Sequence, residues 1–238
     1  MKKYILLCSA ALFSLQATAQ NGFFLQPAAS TGFSKTVVHN FGGQPDYKNV
    51  TSTNFSLGVG YRLNKWRFAT GISYLRTGNS IDLTFAIFDP LTGTLTGIQH
   101  RTQCYYFHHL VVPVTAGYQL NLSRKLSLVP TLGAELSYNI DEKETLTGYP
   151  DRTMSNESFN NNYHRVSLWG TANVHLEYAV GKTLSIFAGP SAHVMLSNMY
   201  KVPAGAPYNA TQHNNAYLFD AGVLWFFHKK VKTETKVQ

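Results

Sequence analysis

The sequence predicts an all-β chain, folded as an eight-stranded antiparallel up-and-down transmembrane β-barrel, and three observations predict it. Apolar and polar residues alternate with period two through eight segments, which gives each segment one apolar and one polar face. Outside the N-terminus no apolar run approaches the roughly 20 residues that a spanning helix needs. Short and long links between the segments alternate strictly, as in barrels with short turns at one membrane face and long loops at the other.

The N-terminus reads as an export signal. Lys2 and Lys3 precede an apolar run from Tyr4 to Leu15, and the small residues Ala17-Thr18-Ala19 follow. This order is that of a cleavable signal peptide over residues 1–19, with Gln20 first in the mature chain. Cys8 sits inside the apolar run behind bulky Leu7, which does not make a lipidation site. Removal of the signal leaves Cys104 as the single cysteine, so no intramolecular disulfide can form. The remaining residues suit one domain, a barrel over 20–227 followed by a basic tail at 228–238. The net charge of +8 falls to +6 with the loss of Lys2 and Lys3. Basic residues are scattered except in the tail, and export argues against nucleic acid as a partner. Outer-membrane lipids and lipopolysaccharide headgroups suit these cations better.

The strands follow in order. Phe23 to Phe33 is a first strand of weaker pattern. In Asn54 to Leu63, the residues Phe55, Leu57, Val59, Tyr61 and Leu63 alternate with Ser56, Gly58, Gly60 and Arg62. Trp66 to Tyr74 repeats the pattern, and Asn64-Lys65 joins the two as a tight hairpin turn. The fourth strand, near His109 to Leu122, carries Leu110, Val112, Val114, Ala116 and Tyr118 on one face. The fifth runs from Leu126 to Tyr138, the sixth from Val166 to Tyr178, the seventh from Leu184 to Leu196 and the eighth from Tyr217 to Phe227. Links near 64, 124 and 182 are short, whereas those near 34–50, 86–99, 140–162 and 199–214 are long and polar. Both termini then lie at the short-turn end, and the sheet can close without a free edge.

The polar faces place Arg62, Arg67, Glu135, Arg165, His175, Glu177, His193 and Asp220 inside. An eight-stranded barrel is just wide enough for side chains to fill. Arg62, Arg67, Glu135, Arg165, Glu177 and Asp220 are therefore read as a charge network that plugs the lumen. Arg62 and Arg67 oppose each other across the Asn64-Lys65 hairpin, a costly like-charge pair. Glu177, on the opposite wall, is the candidate to compensate it. Inward glycines, Gly60 and Gly189 among them, leave room for long side chains from across the lumen. Outward Tyr61, Trp66, Tyr74, Tyr118, Tyr138, Tyr178 and Trp225 sit near strand ends, where interfacial aromatic girdles belong.

These residues carry a family resemblance. The ending Ala17-Thr18-Ala19-Gln20, the strand Leu57-Gly58-Val59-Gly60-Tyr61, the stretch Leu110-Val111-Val112-Pro113-Val114 leading to Gly117-Tyr118, and the close Trp225-Phe226-Phe227 resemble the Bacteroidota outer-membrane β-barrel domain proteins called PorT-like. The resemblance implies an outer-membrane location, reached by Sec export. It also implies insertion by the barrel-assembly machinery, which reads an aromatic-ended last strand. Here the chain continues eleven residues past Phe227, so an internal signal at Tyr217 to Phe227 takes that role.

No nucleophile elbow, zinc motif or phosphate loop is present in the sequence, and no cofactor is implied. His108 and His109 are adjacent on a strand and so point to opposite faces, away from any shared metal. A lipid A hydrolase would need serine, histidine and an acid on the lipid side, where the faces are apolar. The expected role is non-enzymatic: envelope stabilisation, or presentation of loops to a protein or glycan partner. Asp141-Glu142-Lys143-Glu144 and Asn160-Asn161-Asn162 form the large third loop in this reading. A lipid-modifying enzyme, a narrow solute channel and a soluble lipocalin-like barrel are the alternatives.

Overall fold

A computed structural model describes residues 22–39, 47–146, 154–155, 163–201 and 211–227. The segment expected to be a signal peptide, the basic tail and Asn160-Asn161-Asn162 lie outside these residues. Period-two alternation becomes eight long strands: β1 Gly22–His39, β2 Val50–Leu63, β3 Trp66–Phe88, β4 Leu95–Tyr118, β5 Leu126–Leu146, β6 Val166–Ala179, β7 Leu184–Met195 and β8 Thr211–Phe226. Each pairs antiparallel with its neighbour in sequence, and β8 returns to β1 through pairs from Phe24↔Phe226 to His39↔Thr211. The ring is closed, so its strands satisfy one another's backbone groups around the whole circumference. Two-residue pieces at Tyr47–Lys48, Leu120–Asn121 and Met154–Ser155 pair with β3 or β5.

The apolar faces point out. Phe55, Leu57, Val59 and Phe68 are each about half exposed on the outer wall, while Arg62, Arg67, Glu135, Glu177 and Asp220 are buried within. A soluble lipocalin-like barrel has the reverse arrangement, so that alternative does not describe this chain. At the short-turn end, Asn64 takes a left-handed φ of 57°, which asparagine tolerates and which closes the β2–β3 hairpin. The Leu122 N–H donates to the Leu126 carbonyl at 2.9 Å and the Val180 N–H to that of Leu184 at 3.0 Å, so the apolar parity survives both turns.

At the long-loop end the strands exceed the sequence reading. The link expected at 86–99 is mostly strand: β3 and β4 pair out to Phe88 and Leu95, leaving only Asp89–Thr94 as connection. There the Asp89 carboxylate accepts the N–H groups of Leu91 and Thr92 at 2.8 and 3.1 Å. Likewise β1 continues to His39 rather than Phe33, and β5 to Leu146, so Asp141-Glu142-Lys143-Glu144 is strand and not loop. The reason is physical. Beyond the membrane the outward face meets water and loses its apolar alternation, yet the backbone ladder continues.

Two apolar storeys pack inside the lumen, the lower one on the wall formed by β7, β8 and β1. Phe24, Phe187, Leu224 and Phe226 form one near the short-turn end. Leu75, Phe107, Val111, Trp169, Met195, Met199, Ala216 and Leu218 form the other toward the long loops, with Tyr105 and Tyr163 packed against it.

Candidate functional site

The lumen charges begin at the β2–β3 hairpin. Register places Arg62 directly opposite Arg67, both buried. Arg67 forms a bidentate ion pair with Glu177 of β6, using Nη1 and Nη2 on the two carboxylate oxygens. Arg62 takes a different partner: its Nη1 donates to Gln119 Oε1 at 2.7 Å, and its guanidinium lies 4.0 Å over the Phe226 ring. Gln119, in the β4–β5 connection, also donates to Ser127 Oγ at 2.9 Å. It is a neutral residue that sequence reasoning about charges missed. Gln119 Oε1 also accepts from Arg67 Nη2 at 3.4 Å, so this neutral oxygen bridges the two guanidinium groups while Glu177 pairs with Arg67, which offsets the repulsion between the arginines.

Between the storeys lies a cavity of about 110 Å³, lined by Asn54, Arg67, Glu135, Thr171, His175 and Asp220 among others. Asp220 accepts Ser191 Oγ at 2.7 Å and meets His175 Nε2 at 2.9 Å, while Glu135 meets His193 Nδ1 at 2.9 Å. Ser191, Asp220 and His175 are the residue types of a nucleophilic triad in the wrong order. The serine gives its hydrogen to the carboxylate rather than to the imidazole, so no base activates it. Asn54 Oδ1, Thr171 Oγ1 and Asn173 Oδ1 line the same space without a protein partner, which makes it a polar chamber between apolar lids.

Arg165 does not belong to this network. It precedes β6 at a bend, is exposed, and its Nη1 donates to Tyr138 Oη at 3.2 Å on the outer wall. Strand parity holds only within a strand, and β6 begins one residue later.

At the level of the upper storey, in register with Phe107 and Tyr105, Glu142 and Glu144 turn inward and are buried. Asn139 Nδ2 donates to Glu142 Oε1 at 2.5 Å, and the Gln103 amide donates to Glu144. Burial pushes the Glu142 carboxyl up to about 7, with nearby Asp141 adding to the rise and the Asn139 hydrogen bond opposing it. Tyr105 is pushed up to about 12 by burial and by Glu144. His109 points inward against Trp169, with ring centroids 5.6 Å apart, whereas His108 meets Tyr74 outside. No group of three or more metal-ligating side chains gathers among the described residues.

A model of the outer membrane protein beta-barrel domain family matches residues 5–214. Among solved structures, Neisserial surface protein A is 17% identical, with 87% of this chain and 97% of that one covered and a TM-score of 0.46. OprG from Pseudomonas aeruginosa is 12% identical over 88% and 98% of the two chains, with a TM-score of 0.42. The Escherichia coli outer membrane protease OmpT is 11% identical over 88% and 98%, also at 0.42. At these identities the likeness concerns the fold alone. No curated protein matches the chain by sequence.

Proposed function

Because the chain belongs to the outer membrane protein beta-barrel domain family, we propose that it is a non-enzymatic, non-conducting outer-membrane barrel that presents its long-loop rim to a protein or glycan partner. It is exported through the Sec pathway with loss of residues 1–19, and the barrel-assembly machinery inserts it. The short turns face the periplasm, and lipopolysaccharide surrounds the opposite rim. The motifs around Leu57 to Tyr61 and Leu110 to Tyr118 support a PorT-like relationship within the Bacteroidota.

One observation carries this reading: side chains fill the lumen, in two apolar storeys and the buried Arg67–Glu177 pair, while β3, β4 and β5 continue past the lipid-facing band. A hydrated solute would lose its water at both storeys. The β3–β4 ribbon, by contrast, carries exposed Phe85, Ile87, Phe88, Leu91, Leu95 and Ile98 clear of the barrel wall. Apolar surface held out in this way suits contact with a partner.

Trimming the ribbon, with an Asn-Gly turn joining Asp82 to Thr102, tests the role. The trimmed protein should keep heat-modifiable gel migration and lose binding on glycan arrays or to surface proteins. Unchanged binding, steady conductance in planar bilayers, or lipid A altered in mass by the intact protein would each sink the reading.

A further inference from the structure

The short-turn end is cationic throughout. Its turns carry Lys65, Arg124, Lys125 and Lys182, and no carboxylate occurs in Leu63 to Trp66, Tyr118 to Leu126 or Ala179 to Leu184. Arg124, Lys125 and Lys182 are exposed and Lys65 half-buried. They are distinct from Arg62 and Arg67, which Gln119 and Glu177 satisfy inside the lumen. The opposite rim is mixed in charge on its outer side, with Asp82 paired to Lys48 and with Asp89, Asp141 and Lys143 exposed or nearly so.

Immediately beside these cations the outer wall carries a belt of rings. Phe23 meets Tyr61 at 5.0 Å, Trp66 meets Tyr118 at 5.1 Å and Trp225 stacks along Phe227 at 6.4 Å. Lys125 Nζ lies 5.9 Å from the centre of the Tyr178 ring. Aromatic belts sit where hydrocarbon gives way to headgroups. Lys65 directly precedes Trp66, and Arg124 and Lys125 directly precede Leu126, so the charges are held at the depth of the lipid phosphates.

We propose that Lys65, Arg124, Lys125 and Lys182 form a collar that binds the phosphates of anionic phospholipids in the leaflet facing the periplasm. The inference rests on the membrane orientation given above. The turns are short and stay close to the girdle, which favours lipid over the more distant cell wall. A basic residue near an anionic surface favours binding by about fivefold. The exposed sites are also open to screening by salt.

The test uses the mature protein, refolded in vesicles of equal phosphatidylglycerol and phosphatidylcholine, with the lipid in contact with the barrel read by spin-labelled lipids. Phosphatidylglycerol should be enriched several-fold, less so as sodium chloride rises, and at least twofold less in K65Q/R124Q/K125Q/K182Q, which keeps the lysines of the 228–238 tail. K143Q, at the other rim, should keep the enrichment. If the quadruple variant fails to fold, K65Q/K182Q and R124Q/K125Q should each lose part of the preference. Heat-modifiable migration of the same samples separates the two readings. A wild-type protein that never inserts overturns both, whereas one that inserts and shows equal lipid occupancy overturns the collar alone. Enrichment that survives all the collar substitutions undiminished also overturns it. So does retention on purified peptidoglycan through the same four residues without lipid preference, which would assign the collar to the cell wall.

Discussion

Arg67 on β3 and Glu177 on β6, separated by 110 residues in sequence, close a bidentate ion pair across the lumen. Glu177 also supplies the carboxylate nearest to the Arg62–Arg67 pair that the β2–β3 hairpin forces together. Glu177→Gln should therefore cost about 3–5 kcal/mol, the usual cost of breaking a buried pair from one side. R67M/E177L should recover most of it. Urea unfolding in vesicles, followed by tryptophan fluorescence, measures both. An E177Q midpoint equal to that of the wild type would show that the pair contributes nothing.

The two apolar storeys make a prediction about conduction. The wild-type barrel should be silent in planar bilayers. F107A/W169A removes the upper lid and F24A/F226A the lower, and each should stay silent because the other lid remains. Only the four substitutions together should give steady current. Conductance in the wild type or in one double variant would place the barrier elsewhere.

Glu142 makes stability depend on pH. Its folded carboxyl titrates near 7 against an ordinary value of 4.5, so between these values the folded protein holds a proton that the unfolded chain has released. Stability should then fall as pH rises from about 4.5 to about 7 and level off above. Glu142→Gln keeps the oxygen that accepts from Asn139 and should flatten that window. Unfolding midpoints of the two proteins at pH 5 and pH 8 decide it; parallel curves would be evidence against a buried, protonated Glu142.

Inward glycines receive side chains from neighbouring strands. A Cβ on Gly60 would fall against the Phe24 ring and the Phe68 carbonyl oxygen. Gly60→Ala should cost about 1–3 kcal/mol through overpacking of the lower storey. Trimming the ring, in G60A/F24L, should return part of that stability in the same unfolding assay. An additive double variant would show that ring and glycine are not coupled.

Much of the wall was legible beforehand because lipid outside and a narrow lumen inside impose period two residue by residue. Phe55 to Leu63 and Trp66 to Tyr74 need only their own pattern and the Asn64-Lys65 turn to be recognised. The upper parts of β3, β4 and β5 were not legible, since outside the bilayer no apolar face is required to mark a strand. Ile81↔Gln103 and Phe107↔Glu142 are set by pairing, not by local preference. Arg165 misled for a related reason: its position fits the parity of β6, but the strand has not yet begun.

By itself, the sequence determined which residues face lipid, where the short turns fall and that charges enter the lumen, because each follows from alternation along a single strand. The sequence also pointed to Glu177 as the carboxylate for the Arg62–Arg67 pair, but tertiary structure alone decided which arginine it takes and which neutral groups join them. Glu177 pairs with Arg67 while Gln119 bridges Arg62 and Arg67, and Trp169 and Phe107 pack on one side of a polar chamber with Phe24 and Phe226 on the other. Those contacts depend on ring closure and on the stagger between strands far apart in the chain, which no local pattern encodes.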